Sequence, residues 1–180
     1  VKRLYKALFF CTLLSFALIG CTDGGHRNEQ VREPEPDRKP AVTHGPILYE
    51  NDPYGFRFSL PEGWKGYSIV TGTWEGLAAG SETGEAIVET GPLISIRHPQ
   101  WTSQNQRQDI PIMIFTLDQW SSLLEGRFHI GAAPIGPTEL GRNSKYVFAL
   151  PARYNFAFLE GYEEVEEIIK KNPLHATLSK

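Results

Sequence analysis

Apolar and polar residues alternate strictly from Tyr54 to Leu60, which predicts a half-buried strand with Phe56, Phe58 and Leu60 facing inward. Pro61-Glu62-Gly63 then reads as a turn. Further strands are expected at Tyr67–Thr71, Glu85–Thr90, Leu93–His98, Ile110–Phe115, Lys145–Leu150 and Tyr154–Phe158. The run Ile110–Phe115 is apolar almost throughout, as in a central strand covered on both faces, with Pro111 near its start where a missing donor is tolerable. Two segments carry helical spacing instead. Thr116 with Gln119 forms a T-x-x-Q capping box, after which Leu117, Trp120 and Leu124 share a face and Gly126 can close the end. From Tyr162 to Lys171, Tyr162, Val165, Ile168 and Ile169 form the apolar stripe. Glu163 and Glu164 lie at the positive end of this helix, Lys170 and Lys171 at its negative end. Glu166–Lys170 and Glu167–Lys171 are spaced as i,i+4 pairs, and Asn172-Pro173 is the stop. Strands in meander order with two separate helices predict an α+β domain, a mostly antiparallel sheet with two packed helices.

The N-terminal quarter has a different pattern. Lys2, Arg3 and Lys6 precede an uncharged apolar run, Ala7–Ile19, too short to span a bilayer as a helix. It ends in Leu18-Ile19-Gly20-Cys21. The order of charged, apolar and terminal parts resembles a bacterial lipoprotein signal, whose lipobox has an aliphatic residue three before an invariant cysteine and a small residue directly before it. That resemblance implies removal of residues 1–20, diacylglyceryl thioether formation on Cys21, and a lipid-anchored protein on the extracytoplasmic face of a bacterial cell membrane. A thiolate is the side-chain nucleophile suited to that bond. Cys11 would leave with the signal, so the mature domain would hold no disulfide and depend on its packed core. Residues 22–46 contain four prolines, nine charges of mixed sign and only Val31, Ala41 and Val42 as hydrophobic residues. Such a composition predicts a disordered tether, roughly 80 Å long at full extension. The globular domain is expected over 47–180.

Composition narrows the function classes. The 180 residues carry a formal charge of -3, and the part from Ile47 onward has 11 basic and 16 acidic side chains, a balance that speaks against nucleic acid as a partner. That part also holds four Trp, six Tyr and seven Phe, enough aromatic area for a core. The stretch Tyr54-Gly55-Phe56-Arg57-Phe58-Ser59-Leu60-Pro61-Glu62-Gly63-Trp64 resembles the opening of PsbP-like domains. The resemblance covers eleven residues, implies a fold and carries no functional residue.

Motifs for chemistry are sparse. There is no G-x-S-x-G elbow, Walker loop or G-x-G-x-x-G, and none of His26, His44, His98, His129 and His175 has compact metal-ligand spacing. No catalytic residue, cofactor or metal is assigned. Glu163-Glu164 is read as solvated capping at a helix start. Two long segments stand out, Gly126–Asn143, rich in Gly, Ala and Pro, and Pro99–Asp109. The second carries Trp101 flanked by Arg97, His98, Asn105 and Arg107, and Trp with Arg is a composition found in binding hot spots. Trp101 folding back onto the sheet as core is the commoner fate of a tryptophan. The expectation is a membrane-anchored binding or accessory module of the cell envelope, with Arg97, His98, Trp101 and Arg107 as candidate binding residues and an envelope protein or cell-wall ligand as partner. The alternative is an envelope hydrolase with a site assembled from non-adjacent residues.

Overall fold

The computed structural model describes residues 45–79, 86–131 and 135–178. The expected signal, Cys21 and nearly all of the expected tether lie outside the described residues. Nine strands and two helices follow in the order β1 (Ile47–Asn51), β2 (Phe56–Leu60), β3 (Ser68–Ala78), β4 (Ile87–Arg97), β5 (Ile110–Thr116), α1 (Leu117–Leu124), β6 (Phe128–Ile130), β7 (Thr138–Arg142), β8 (Tyr146–Leu150), α2 (Tyr162–Lys170) and β9 (Leu174–Ala176). A short 3-10 turn at Glu62–Trp64 follows β2. The fold is α+β. One antiparallel sheet has the order β6-β3-β4-β5-β8-β7, and a smaller one the order β1-β2-β9.

The period-two pattern decides the layering. Phe56, Phe58 and Leu60 of β2 pack with Ile94, Ile96, Ile110, Ile112, Ile114 and Phe148 of the large sheet, with Val165 and Ile168 of α2 and with Leu174 of β9. The intervening residues of β5 and β8, Met113, Phe115, Val147 and Ala149, point the other way and form a second cluster with Trp74, Trp120 and Phe128. β5 is therefore covered on both faces, as its unbroken apolar run predicts. Pro111 lies beyond the β8 ladder, which begins at Met113, so its missing N–H breaks no bond there.

Several expectations need correction. Glu85–Thr90 and Leu93–His98 are not two strands; β4 runs through Gly91-Pro92 without a break, paired to β3 along its length. The register places Gly91 opposite Trp74, whose indole lies where a side chain at 91 would be. Extended by one step, the β4–β5 register sets Pro92 opposite Ile114. Pro92 has no N–H to donate, and the Ile114 carbonyl takes the Trp74 indole N–H at 2.8 Å. Gly126–Asn143 is not one long loop, since it contains β6 and β7. β1 and β9 were also outside the expected strands, whereas Tyr154–Phe158 is no strand but a series of turns. Arg153 and Phe158 have positive φ, and the N–H groups of Phe156 and Phe158 bond back to the carbonyls of Arg153 and Asn155.

The helices hold with changed details. Thr116 and Gln119 form the reciprocal capping box. The buried side of α1 is Trp120, with Leu123 half-buried; Leu117 and Leu124 are exposed, because the face on the sheet is centred between Trp120 and Leu123 and both leucines lie roughly 70–90° round the helix from it. In α2 the ion pair is Lys170 with Glu167, at i,i+3, while Glu166 accepts from Asn155. Both expected i,i+4 pairs are thus replaced.

Candidate binding site

β4 and β5 end together, and the loop between them starts the site. Their register pairs Ile96 with Ile110, so the next residues out, Arg97 and Asp109, face each other across the strand ends. They form a half-buried ion pair, with Arg97 Nη2 donating to Asp109 Oδ2 at 2.8 Å and Nε to both carboxylate oxygens at 3.2 Å. The carboxylate raises the Arg97 pKa further and keeps the guanidinium charged. That guanidinium lies over the Trp101 ring, 3.9 Å from its centroid, a cation–π stack.

The loop is held by local bonds. The Trp101 N–H donates to the His98 carbonyl at 3.0 Å, and the Gln100 N–H donates to His98 Nδ1 at 3.1 Å. Thr102 and Asn105 close the next turn on each other, Thr102 N–H to the Asn105 carbonyl and Asn105 N–H to Thr102 Oγ1. The returning arm docks on the segment before α2. Arg107 makes a parallel bridge to Glu160, the Gln108 N–H donates to the Glu160 carbonyl at 2.8 Å, and Asn105 Nδ2 donates to Glu160 Oε2.

Arg107 is the clasp between loop and helix. Its guanidinium pairs with Glu160 and, at 3.4 Å, with Glu164. Gly161, at φ 81, leaves room beneath it; a Cβ there would sit 3.0 Å from Arg107 Nη2. Glu164 also accepts from Trp64 Nε1 at 3.1 Å, so it is more than a solvated capping residue. Arg107 Nε and Gln108 Oε1 are buried without a hydrogen-bond partner among the described residues.

His98 turns inward. It is 6 % exposed, and its ring meets Trp64 edge-on at 5.0 Å between centroids. Burial lowers its pKa and the nearby Arg107 cation lowers it further, against a smaller opposing pull from Glu164 and Glu160. A neutral imidazole with Nδ1 already accepting from Gln100 is suited to structure.

Arg97, Trp101 and Arg107 come together with Gln106, Gln108, Asp109, Pro111 and Leu159 around one open recess of about 410 Å³. His98 is not part of its lining. Trp101 is half-buried and belongs to neither core cluster, so it takes a position between the two readings of the sequence. Leu159 was missed, since nothing in the local pattern links it to a loop some fifty residues earlier. Beside it stand two phenylalanines that the alternation of 154–158 placed in a strand; Phe156 is 76 % and Phe158 69 % exposed, and Phe158 meets Tyr162 edge-on. A bulky residue at positive φ is an outlier, and strained exposed positions concentrate at functional sites. That backbone conformation was not readable from the residues. Among the described residues, no three His, Cys, Asp or Glu side chains gather as a metal site would require.

No family model matches the chain, and no curated protein or solved structure matches it.

Proposed function

We propose that this chain is a bacterial lipoprotein, anchored through a lipid on Cys21 to the extracytoplasmic face of the cell membrane, whose α+β domain is a non-catalytic binding or accessory module of the envelope. The anchor rests on the signal-like order of residues 1–21. Among the described residues no helix is long and apolar enough to cross a membrane, which is compatible with anchoring by lipid. We further propose that the likeness of residues 54–64 to PsbP-like domains reflects shared fold and not shared activity.

The contact surface in this reading is formed by the 98–109 loop and the 151–161 segment, which share the recess and present Trp101, Leu159, Phe156 and Phe158. The observation that carries it is the exposure of both phenylalanines on a segment with two non-glycine residues at positive φ, Arg153 and Phe158, joined by backbone and ion-pair bonds to the loop that holds Trp101. Aromatic and arginine side chains at a loop surface suit protein recognition. The hydrolase alternative is less well supported here, because Asp109, Glu160 and Glu164 are engaged by arginines and His98 faces Trp64.

Two measurements test the reading separately. Mass spectrometry of the chain from a bacterial host should find Cys21 as a diacylglyceryl thioether, and an unmodified Cys21 would end the anchor proposal. A photo-crosslinking residue at Gln106, which is exposed and lines the recess, should yield an adduct with an envelope component in the host. That adduct should weaken when Phe156 and Phe158 are both changed to Ser. An adduct of unchanged yield in that double variant would remove the aromatic segment from the contact surface.

A further inference from the structure

The two outer strands of the large sheet are treated differently. At one side β7 carries a bulge between Glu139 and Gly141 and an ion pair between Glu139 and Arg142. Bulges and charges are the usual means of preventing edge-to-edge pairing. At the other side β6 covers only Gly76–Ala78 of β3, so Ser68–Glu75 has no strand partner on that side among the described residues. This open stretch is eight residues long, about 26 Å of strand. From Ser68 to Thr73 it reads Ser-Ile-Val-Thr-Gly-Thr, with no charge, no proline and no bulge, and Ser68 and Val70–Thr73 are exposed.

Alternation along the ladder shows which backbone groups are free. The Thr90 carbonyl of β4 accepts from Gln119 Nε2 at 3.0 Å and so points away from β3. The even-numbered residues of β4 share that direction, and the register then turns the N–H and C=O groups of Ile69, Thr71, Thr73 and Glu75 toward the open edge. These groups specify an extended strand as their complement.

We propose that this edge pairs with the same edge of a second copy of the chain, antiparallel about a two-fold axis at or next to Thr71, to make one continuous sheet across the dimer. The charges select this occupant. The uncharged stretch is flanked by Lys65 before it and Glu75 after it, both exposed and neither in an ion pair among the described residues. A two-fold axis brings the Lys65 end of one copy toward the Glu75 end of the other at both ends of the contact. No like charges meet in its middle, as a self-complementary isologous interface requires. A contact of one strand edge falls below the size of a standard stable interface, so the dimer is weak and concentration-dependent. The proposal stands independently of the anchor and of the loop surface.

The test uses two differently tagged copies of the full chain, co-expressed and co-purified. Wild-type copies should recover each other. Thr71→Lys with Thr73→Lys in both copies should lower recovery about fivefold or more, since a two-fold sets like charges opposite one another. Thr71→Lys in one copy with Thr71→Glu in the other should restore it. A second measurement does not depend on those variants folding. Under mild oxidation Thr71→Cys in the otherwise unchanged chain should give a disulfide dimer above the background from Cys11 and Cys21 in the wild type, and Ser144→Cys in the β7–β8 turn should not. Unchanged recovery in the lysine pair, no rescue in the opposite-charge pair, no added dimer from Thr71→Cys, or a Thr71→Cys adduct solely with another protein would each overturn the second-copy assignment.

Discussion

Replacing Gly91 by Ala adds a single methyl group, and the geometry makes that methyl expensive. Built on the Gly91 backbone, a Cβ would lie 2.5 Å from Cε2 and Cζ2 of Trp74 and 2.6 Å from its Nε1. Those distances are about 1 Å inside ordinary contact, and the indole cannot simply retreat. It is stacked on Phe115 at 4.3 Å between centroids, lies parallel to Phe128 at 6.2 Å, and donates to the Ile114 carbonyl. Overpacking of this kind costs about 1–3 kcal/mol, and loss of the buried indole bond adds about 1 kcal/mol. The expected destabilisation is therefore about 2–4 kcal/mol, against a backbone gain of about 0.5–1 kcal/mol for removing a strand glycine. The upper limit is the about 3–5 kcal/mol of losing a core tryptophan altogether.

Equilibrium urea unfolding of Gly91→Ala measures the loss, and an unchanged slope would show that the unfolded reference has not shifted. A double-mutant cycle identifies its cause. In a Trp74→Leu background no indole remains to be displaced, so Gly91→Ala should be neutral or slightly stabilising, giving a coupling of about 2 kcal/mol or more. A single-mutant loss below about 0.5 kcal/mol, or an equal loss with and without the indole, would refute the placement of Trp74 over Gly91 and with it the explanation of why β4 continues through Gly91-Pro92.

Three further outcomes follow from named contacts. His98 has a native pKa below its ordinary value of 6.5, so as pH falls below that value the unfolded chain takes up a proton that the native imidazole resists. Stability should accordingly fall from pH 6.5 down through the lowered native pKa and show no His98 contribution above pH 7.5; His98→Asn, which keeps an acceptor for the Gln100 N–H, should remove that part of the slope in urea titrations at each pH. Arg107→Met deletes a cation that lowers the His98 pKa and breaks the bonds to Glu160 and Glu164. The His98 titration followed by NMR should move upward, and the Gln108 amide should exchange with solvent faster; a downward move would refute the assigned role of Arg107. Thr116→Ala removes one half of the α1 capping box and should cost about 1 kcal/mol in thermal or urea unfolding.

The parts of the fold that could be read from the sequence are those fixed by short-range physics. Phe56, Phe58 and Leu60 face one core and Arg57 faces solvent, so alternation is enough to find β2. Thr116 and Gln119 meet within one helical turn, so the capping box is visible as a spacing. Failures occur where a distant residue determines the local conformation. Gly91-Pro92 has the composition of a turn, but its glycine is occupied by an indole from β3 and its proline faces a carbonyl satisfied by the same indole. Phe156-Ala157-Phe158 has the alternation of a strand, yet among the described residues no strand pairs with it, and the segment folds into turns stabilised by its own backbone. The site divides the same way. Arg97, Trp101 and Arg107 lie close enough in the chain to stand out by composition. Leu159, Glu160 and Glu164 join them because the loop docks some fifty residues further on, a contact with no local signature.

The distribution of apolar residues also limits where this domain can act. Ile110, Ile112 and Ile114 commit one face of the large sheet to β2 and α2, and Met113 and Phe115 commit the centre of the other to α1 and Trp74. That leaves the loops, the edges and the uncovered parts of β3 and β4, where Val70, Ile87 and Val88 are exposed, for any contact. The Glu139–Arg142 pair and the β7 bulge show that this chain has the means to protect an edge, and the bulge at Gly76/Leu77 sits beside the part of β3 already covered by β6. Ser68–Thr73 has neither device, although a single lysine at exposed Thr71 would supply one without touching the core. An uncharged open edge promotes aggregation if it has no partner. The absence of such protection along Ser68–Thr73 among the described residues, where the opposite edge of the same sheet is protected, is therefore more economically explained by a specific strand that covers it than by neutral sequence choice. If that explanation is wrong, Thr71→Lys should improve solubility at high concentration with no loss of self-association, because nothing specific would have occupied the edge.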